Sequence, residues 1–394
     1  MAHQPFDWIV MTTCYTNFGQ HFSYIPGLAR AFSEQTPTVY VNPAIGWYQA
    51  WIKRECVGVL PDLSSDRLKV IQPYTWLSYG SKIGKRLNLR YMGRQISSHG
   101  SGRCLFWFHA WPEYMELARG FPNRIIVWSI GDEGEARWPL RYEMLKGVDY
   151  ILAFSLPTFE TFRSYFPDKT FYIPCGIDGQ VYRDYHVWRQ QGGMPLMTEI
   201  VEQTQYPYQV LYYGTVNDRI NFALVYHLAR IFPQCEFIFA GPNRVSKKRP
   251  HLERSCELPN LRFIDGLKPF DYIYLIEQSD ACIVPYELNE FYAHAHPLKL
   301  YDYWMFAKPV VTTYIPTYRL YSDLLYMAED FESFAAHLTT AIHEPNDQQR
   351  TEHRLAVASA HDTEKLAAAT LEIISGNSAQ SPDFYLQRIR ETAT

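Results

Sequence analysis

At 394 residues the chain is too long for one hydrophobic core and calls for two domains of ordinary size. A formal charge of -4 excludes a general nucleic-acid binder, which carries a basic surplus, so any phosphate recognition has to be local. The seven cysteines (Cys14, Cys56, Cys104, Cys175, Cys235, Cys256, Cys282) are odd in number and lack C-x-x-C spacing, which speaks against zinc or redox motifs and fits a reducing cytoplasm. The opening "MAHQPFDWIVMTTC" has no basic region followed by an apolar one, and nowhere do eighteen apolar residues run together, so neither a signal peptide nor a membrane span is expected.

In chain order, "DWIVMTTC" reads as a strand, His21 to Phe32 as a helix despite Pro26, and "TPTVYVNP" as the next strand. "CLFWFHAWP", "NRIIVWSIGDE", "DYILAFS" and "TFYIPCGID" follow as short strands ending in polar or glycine-containing loops. The pattern restarts with "QVLYYGTVNDR", a helix over Ile220 to Phe232, "CEFIFAGPN", "LRFIDG", a helix near Phe270 to Gln278, and "ACIVPYEL". Short apolar runs alternating with amphipathic ones are the mark of parallel α/β units. The expected fold class is α/β, with two doubly wound domains whose strand ends face a cleft. The expected division is a first domain at 1–190, a linker at 191–207, a second domain at 208–375 and a tail at 376–394 that can pack back on the first domain.

After "ACIVPYEL" comes "HAHPLKLYDYWMFAKPVVTT", where Pro297 opens a helix that runs to about Ala307 before Pro309 stops it. Lys299 then lies in the first turn, where a cation is disfavoured by a few tenths of a kcal/mol unless an anion shares the place. A phosphate reverses that sign. Asp302, three residues on, lies on the same helical face and can reach vicinal hydroxyls. Diphosphate at the tip and ribose one turn deeper describe a nucleotide. The plain alternative for this pair is an i, i+3 surface ion pair.

On Pro297, Leu298, Lys299, Tyr301, Asp302, Tyr303, Phe306, Lys308, Pro309, Val310 and Val311 the sequence resembles the GT-B fold glycosyltransferases. Within them it looks like a bacterial subgroup related to family 4 and to exopolysaccharide and teichuronic-type transferases. The resemblance implies two Rossmann-like domains facing each other across a cleft. It implies a donor-nucleotide site of Gly214, Thr215, Arg219, Gly241, Lys299, Tyr301 and Asp302, with His294, Pro297 and Leu298 toward the donor sugar. His294 stands where family 4 carries a glutamate, Asp302 replaces the longer ribose glutamate, and Lys308 is read as replacing the glycine at the helix end. On the acceptor side the resemblance points to Gly19, Gln20, His21 and His109.

Sugar transfer from a nucleoside diphosphate needs fixed positive charge against the leaving diphosphate, which Lys299 and Arg219 can supply without a metal. An inverting enzyme also needs a base for the acceptor hydroxyl, and Asp132, with Glu133 beside it, suits that role. A retaining enzyme needs no such base. The bland readings are a helix N-cap for Asp132 and Glu133, a solvated helix start for Arg219, and a satisfied histidine for His109. His294 and His296 form an H-x-H pair but lack evident further ligands, so no metal is expected. No cofactor is expected beyond a UDP- or GDP-linked sugar as substrate, with a glycan or lipid-linked acceptor as partner.

From Trp76 to Arg94, Lys82, Lys85, Arg86, Arg90 and Arg94 interleave with aromatic and aliphatic residues. Such a stretch can lie on an anionic membrane, which would place a cytoplasmic protein peripherally on the inner face of the plasma membrane; an ordinary amphipathic helix is the alternative. Other functions open to the same sequence are a sugar-nucleotide epimerase, a non-catalytic sugar-nucleotide binder, and a metal-dependent hydrolase on the histidine pair.

Overall fold

The computed structural model describes residues 5–13, 17–18, 24–53, 58–77, 82–109, 114–130, 142–246, 250–287, 298–345, 347–376, 385 and 387. The chain forms two compact units, one of residues 1–178 with 362–388 and one of residues 179–361 with 389–394. Among the described residues no helix is long and apolar enough to cross a membrane.

The first unit is built on strands β1 (Trp8–Thr12), β2 (Thr38–Val41), β4 (Gly58–Val59), β5 (Leu68–Gln72), β7 (Cys104–His109), β8 (Arg124–Ile130), β9 (Tyr150–Ala153) and β10 (Thr170–Tyr172). Their order in the sheet is β10-β9-β8-β7-β1-β2-β5-β4, and every pairing is parallel except that of β4 with β5. Two-residue strands β3 (Ile45–Gly46) and β6 (Tyr74–Thr75) pair separately. β7 shows why these strands read as unbroken apolar runs. Phe106 and Phe108 join a core with helices α3 (Lys82–Ser97) and α4 (Tyr114–Ala118), while Trp107 between them meets Phe32 of helix α1 (Tyr24–Gln35) at 5.4 Å. Successive side chains point to opposite faces, and both faces are covered. Pro26 lies in the first turn of α1, where its missing N–H has no helical partner to lose. Gly27 lets α1 approach Asp178, which pairs with Arg30.

The second unit has one parallel sheet in the order β13-β12-β11-β14-β15-β16. Its strands are β11 (Tyr208–Tyr213), β12 (Cys235–Ala240), β13 (Leu261–Ile264), β14 (Ala281–Val284), β15 (Val310–Thr313) and β16 (Leu325–Ala328).

The division differs from the sequence reading in two places. The first unit ends at Asp178, not near 190, and the segment read as linker belongs to the second unit. There the helix Thr198–Glu202 forms, Met197 and Val201 are buried, and the Leu196 amide donates to Asp271 Oδ1 at 2.7 Å. The chain also returns to the first unit earlier than 376. The helix Thr363–Ile374 packs on α1, and the Thr363 amide donates to the Ile177 carbonyl at 2.9 Å. A helix that docks on the opposite domain keeps an ordinary amphipathic pattern, so nothing in its own sequence reveals the crossing.

Candidate functional site

In the second unit the chain winds away from β11 in opposite directions, to β12 on one side and β14 on the other. The loops after β11 and β14 therefore diverge, and the space at their carboxyl ends is the place where doubly wound sheets take ligands. The first of these loops starts at Gly214, held at φ 110, and lies against Gly241 at φ 148. A side chain at Gly241 would come within 2.3 Å of the Gly214 carbonyl oxygen, so glycine is needed for the two backbones to meet. The loop is tied at both ends: Gly214 N–H donates to Ala240 O at 2.8 Å, Val216 N–H to Pro242 O at 3.0 Å and Asn221 N–H to Pro285 O at 2.8 Å. Asn217 Oδ1 accepts from the Arg219 amide at 3.0 Å and fixes the turn that presents Arg219.

Lys299 reaches this loop from across the switch point. Its side chain passes directly over Gly214, where a methyl group would lie 2.8 Å from Cε. Nζ donates to the Tyr286 hydroxyl at 3.0 Å and sits 5.3 Å from the Tyr212 ring centroid, 5.8 Å from that of Tyr213 and 5.7 Å from that of Tyr286. The Tyr286 hydroxyl and the rings of Tyr212 and Tyr213 hold the ammonium in place. Burial pushes the Tyr286 phenol up, but the charge and hydrogen bond of Lys299, with the charge of Arg219, leave it below its ordinary value. The Arg219 charge also acts on Tyr212, whose hydroxyl donates to the Thr215 carbonyl at 3.0 Å. Gly214, Thr215, Arg219, Gly241 and Lys299 thus converge on one place.

Gly214→Ala tests this crossing. The strained φ should cost about 1–2 kcal/mol of stability, while the flexible lysine swings aside and the fold persists. Nucleotide affinity, read by calorimetry with UDP, should fall although the thermal transition stays cooperative; unchanged affinity would remove Lys299 from the site.

Other sequence expectations are corrected. The helix is Lys299–Trp304, six residues long, continued by a turn to Ala307. The left-handed position at its end is Ala307, at φ 52, so alanine and not Lys308 occupies the place of the glycine. Asp302 is enclosed between two hydroxyls. It is 4% exposed, and its two oxygens accept from the hydroxyls of Tyr182 and Tyr213, which leaves a carboxylate that braces the wall instead of gripping a ribose. Tyr301 is turned away from the site as well, with its ring stacked on His361 at 3.9 Å and its hydroxyl 2.8 Å from that of Tyr321. Leu298 is partly buried beside Lys299, while His294, His296 and Pro297 lie outside the described residues.

Burial raises the Asp302 carboxyl to about 6 against the pull of both tyrosines and Lys299. With the folded value above the unfolded one, the group's contribution to stability is full below about pH 4 and is lost as pH rises through about 6. Asp302→Asn, which mimics the protonated form, should be more stable than the parent at pH 8 by roughly 3 kcal/mol and level with it at pH 4. Thermal melts across that range check this; a gap independent of pH would refute it.

The first unit has its own switch point, where β1 is flanked by β2 and β7. His109, the last residue of β7, places Nδ1 3.0 Å from Ser129 Oγ and stacks on Phe154 at 5.4 Å. Burial lowers it to about 4, so the imidazole is neutral at physiological pH. Gly19, Gln20 and His21, after β1, and Asp132 and Glu133, after β8, lie outside the described residues. Among the described residues no three histidine, cysteine or carboxylate side chains gather as a metal site would require.

No protein-family model matches the chain. A stretch of 104 residues is 25% identical to TuaH of Bacillus subtilis (strain 168), named as a teichuronic acid biosynthesis glycosyltransferase; it spans 26% of this chain and 26% of that protein. The fold finds wider matches. The UDP-forming α,α-trehalose-phosphate synthase of Burkholderia vietnamiensis superposes with a TM-score of 0.70 at 12% identity, over 93% of this chain and 98% of its own. A trehalose-6-phosphate structure from E. coli bound with UDP-2-fluoro glucose gives 0.66 at 10% identity, over 93% and 99%. The Burkholderia xenovorans synthase in complex with glucose-6-phosphate gives 0.65 at 10%, over 93% and 100%. The chain has the GT-B fold.

The sequence singled out the glycine loop and the lysine of this GT-B chain, which the structure brings together, but not the tyrosines beside them. Tyr212 and Tyr213 end β11, Tyr286 follows β14, and Tyr182, which reaches Asp302, lies on the helix Gly179–Gln190. The one signal was the doublet in "LYYGT", two aromatic residues directly before the glycine where the strand ends.

Proposed function

We propose that the protein is a glycosyltransferase that moves a sugar from a nucleoside-diphosphate donor to a hydroxyl of a glycan or lipid-linked acceptor. The observation that carries this is the Lys299 ammonium, lodged over Gly214 at the switch point of the second unit with Arg219 acting on the same phenols. Fixed cations on a glycine-floored loop favour the diphosphate as negative charge grows on it during departure. Because the cage holds Lys299 before any ligand arrives, little reorganisation is needed when that charge develops. The donor is UDP- or GDP-linked in this reading, and the E. coli relative bound with UDP-2-fluoro glucose supports the first. Asp132 is the base candidate if the reaction inverts configuration, with Glu133 beside it.

The resemblance to TuaH supports a role in cell-surface polysaccharide synthesis; in this reading the acceptor is a glycan or glycolipid and the transfer takes place at the inner face of the plasma membrane. A thermal-shift screen against UDP, GDP, ADP and dTDP tests the core of the reading, since a ligand bound only by the folded state raises its stability. One of them should raise the transition by several degrees, and chelator should leave that shift intact. If none moves it, the reading is wrong.

A further inference from the structure

The first unit leaves a concentration of large apolar side chains in water. The short helix α2 (Trp47–Lys53) exposes Trp47, Tyr48, Trp51 and Ile52, with Trp51 at 73%. Trp76 and Leu77 stand out beside it, and Ile83 at 75% and Leu87 project from α3. These are not scattered singles. Trp47 meets Trp76 at 6.1 Å, Trp76 meets Tyr74 at 5.4 Å, and Tyr74 meets Tyr91 of α3 at 5.3 Å, so α2, β6 and α3 share one aromatic chain. Nor is the exposure slack. Asn88, buried in α3, accepts from the Leu77 amide at 3.1 Å and donates to its carbonyl at 2.7 Å, which pins this backbone while leaving the Trp76 and Leu77 side chains outside.

The charge on α3 is one-sided. Lys82 to Arg94 holds five cations and no carboxylate in a chain of net charge -4. At 100° per residue Arg86, Arg90 and Arg94 share the exposed face of α3 with Ile83 and Leu87, while Leu89, Met92 and Ile96 turn to the core. The three arginines, with Arg119, line a groove of about 760 Å³ in which Glu116 is the single carboxylate among the described residues and whose walls include Leu89 and Phe121. Ordinary surfaces seldom gather so much apolar area. Tryptophan and tyrosine rings beside arginines are the chemistry of a bilayer interface, with rings at the headgroup level and guanidinium groups on lipid phosphates.

We infer that α2, the Trp76–Leu77 corner and the arginine face of α3 form one docking surface for an anionic lipid bilayer. The inference rests on the membrane placement in the proposed function and is independent of the transfer chemistry. The aromatic half of the surface on α2 lies outside the 76–94 stretch that the sequence singled out.

Co-sedimentation of the full chain with vesicles tests it, using phosphatidylcholine alone or mixed equally with phosphatidylglycerol. The protein should pellet with the anionic vesicles and be released by high salt. Trp51→Glu with Ile83→Glu should weaken binding about tenfold or more, and reversing Arg86, Arg90 and Arg94 to glutamate should abolish the preference for anionic lipid. The UDP-induced thermal shift, run on the same samples, reports folding and the nucleotide site separately; it should survive in every variant. If the parent ignores anionic vesicles, or if the variants bind them as the parent does, the inference falls whatever UDP does. A concentration-dependent dimer that Trp51→Glu dissolves would assign the face to a second copy and overturn it too.

Discussion

Lys299→Ala should raise the dissociation constant for UDP by about 10- to 100-fold, the worth of one charge-assisted contact of roughly 1.5–3 kcal/mol. Turnover should fall with it, because the same ammonium meets the ground-state diphosphate and the charge that grows on it. Stability should change only modestly: Nζ serves the Tyr286 hydroxyl and the rings of Tyr212 and Tyr213, and its charge is the smallest of the influences that ease the buried Asp302 carboxylate, after Tyr182 and Tyr213. Tyr286→Phe is the companion variant. It keeps the ring but removes the hydroxyl that holds Nζ at 3.0 Å, so it should weaken binding by less than the alanine does. Calorimetric titration with UDP measures both. Equal affinity in parent and Lys299→Ala would mean that the lysine is an aromatic-caged structural residue and that the diphosphate, if any, binds elsewhere.

Arg354→Met should cost the second unit about 1.5–3 kcal/mol, because it removes the charge-assisted hydrogen bonds of a buried guanidinium and leaves Glu344 to Arg350 at 2.9 Å and Tyr326 at 2.7 Å. Arg354 is 1% exposed, and its two terminal nitrogens reach Glu344 at 2.5 and 2.9 Å. The same guanidinium donates to the carbonyls of Leu324 at 3.3 Å and of Ala307 at 3.1 Å. The second contact fastens the strained turn that ends the helix carrying Lys299. Burial works against the Glu344 carboxylate, yet Arg354, Tyr326 and Arg350 hold its pKa below the ordinary value. That stability is therefore present at neutral pH and lost as pH falls through the depressed pKa. Removing the arginine should lower the melting temperature by roughly 3–12 °C. The double variant Arg354→Met with Glu344→Leu should recover much of the loss. A single variant as stable as the parent would show that Arg350 and Tyr326 suffice for Glu344.

The strands that line the two switch points were legible because a strand buried on both faces writes itself as an apolar run: "WIVMT", "CLFWF" and "CEFIFA" needed no partner to be recognised. Gly214 and Gly241 were legible for a similar reason, since a glycine ending such a run marks a backbone that must turn or be approached. Asp302 was misread because spacing gives the face of a helix but not what stands opposite it. Tyr182 and Tyr213 arrive from a helix and a strand far away in sequence, and they close the face that was expected to be open. Ala307 shows the reverse case. The pattern put the left-handed residue one position late because alanine there conceals what only the backbone angle reveals.

The helix Thr363–Ile374 has a consequence for how the protein is made. The unit that leaves the ribosome first needs this helix against α1, and the Tyr150 hydroxyl needs the carbonyl of Ile374 at 3.3 Å. Residues 1–178 therefore wait through the synthesis of residues 179–361, the stretch that holds the six-stranded sheet of the second unit. Domains usually finish in the order of translation. Here the later-made domain can close first, and the earlier one exposes the flank of α1 to chaperones and proteases until its last helix is delivered.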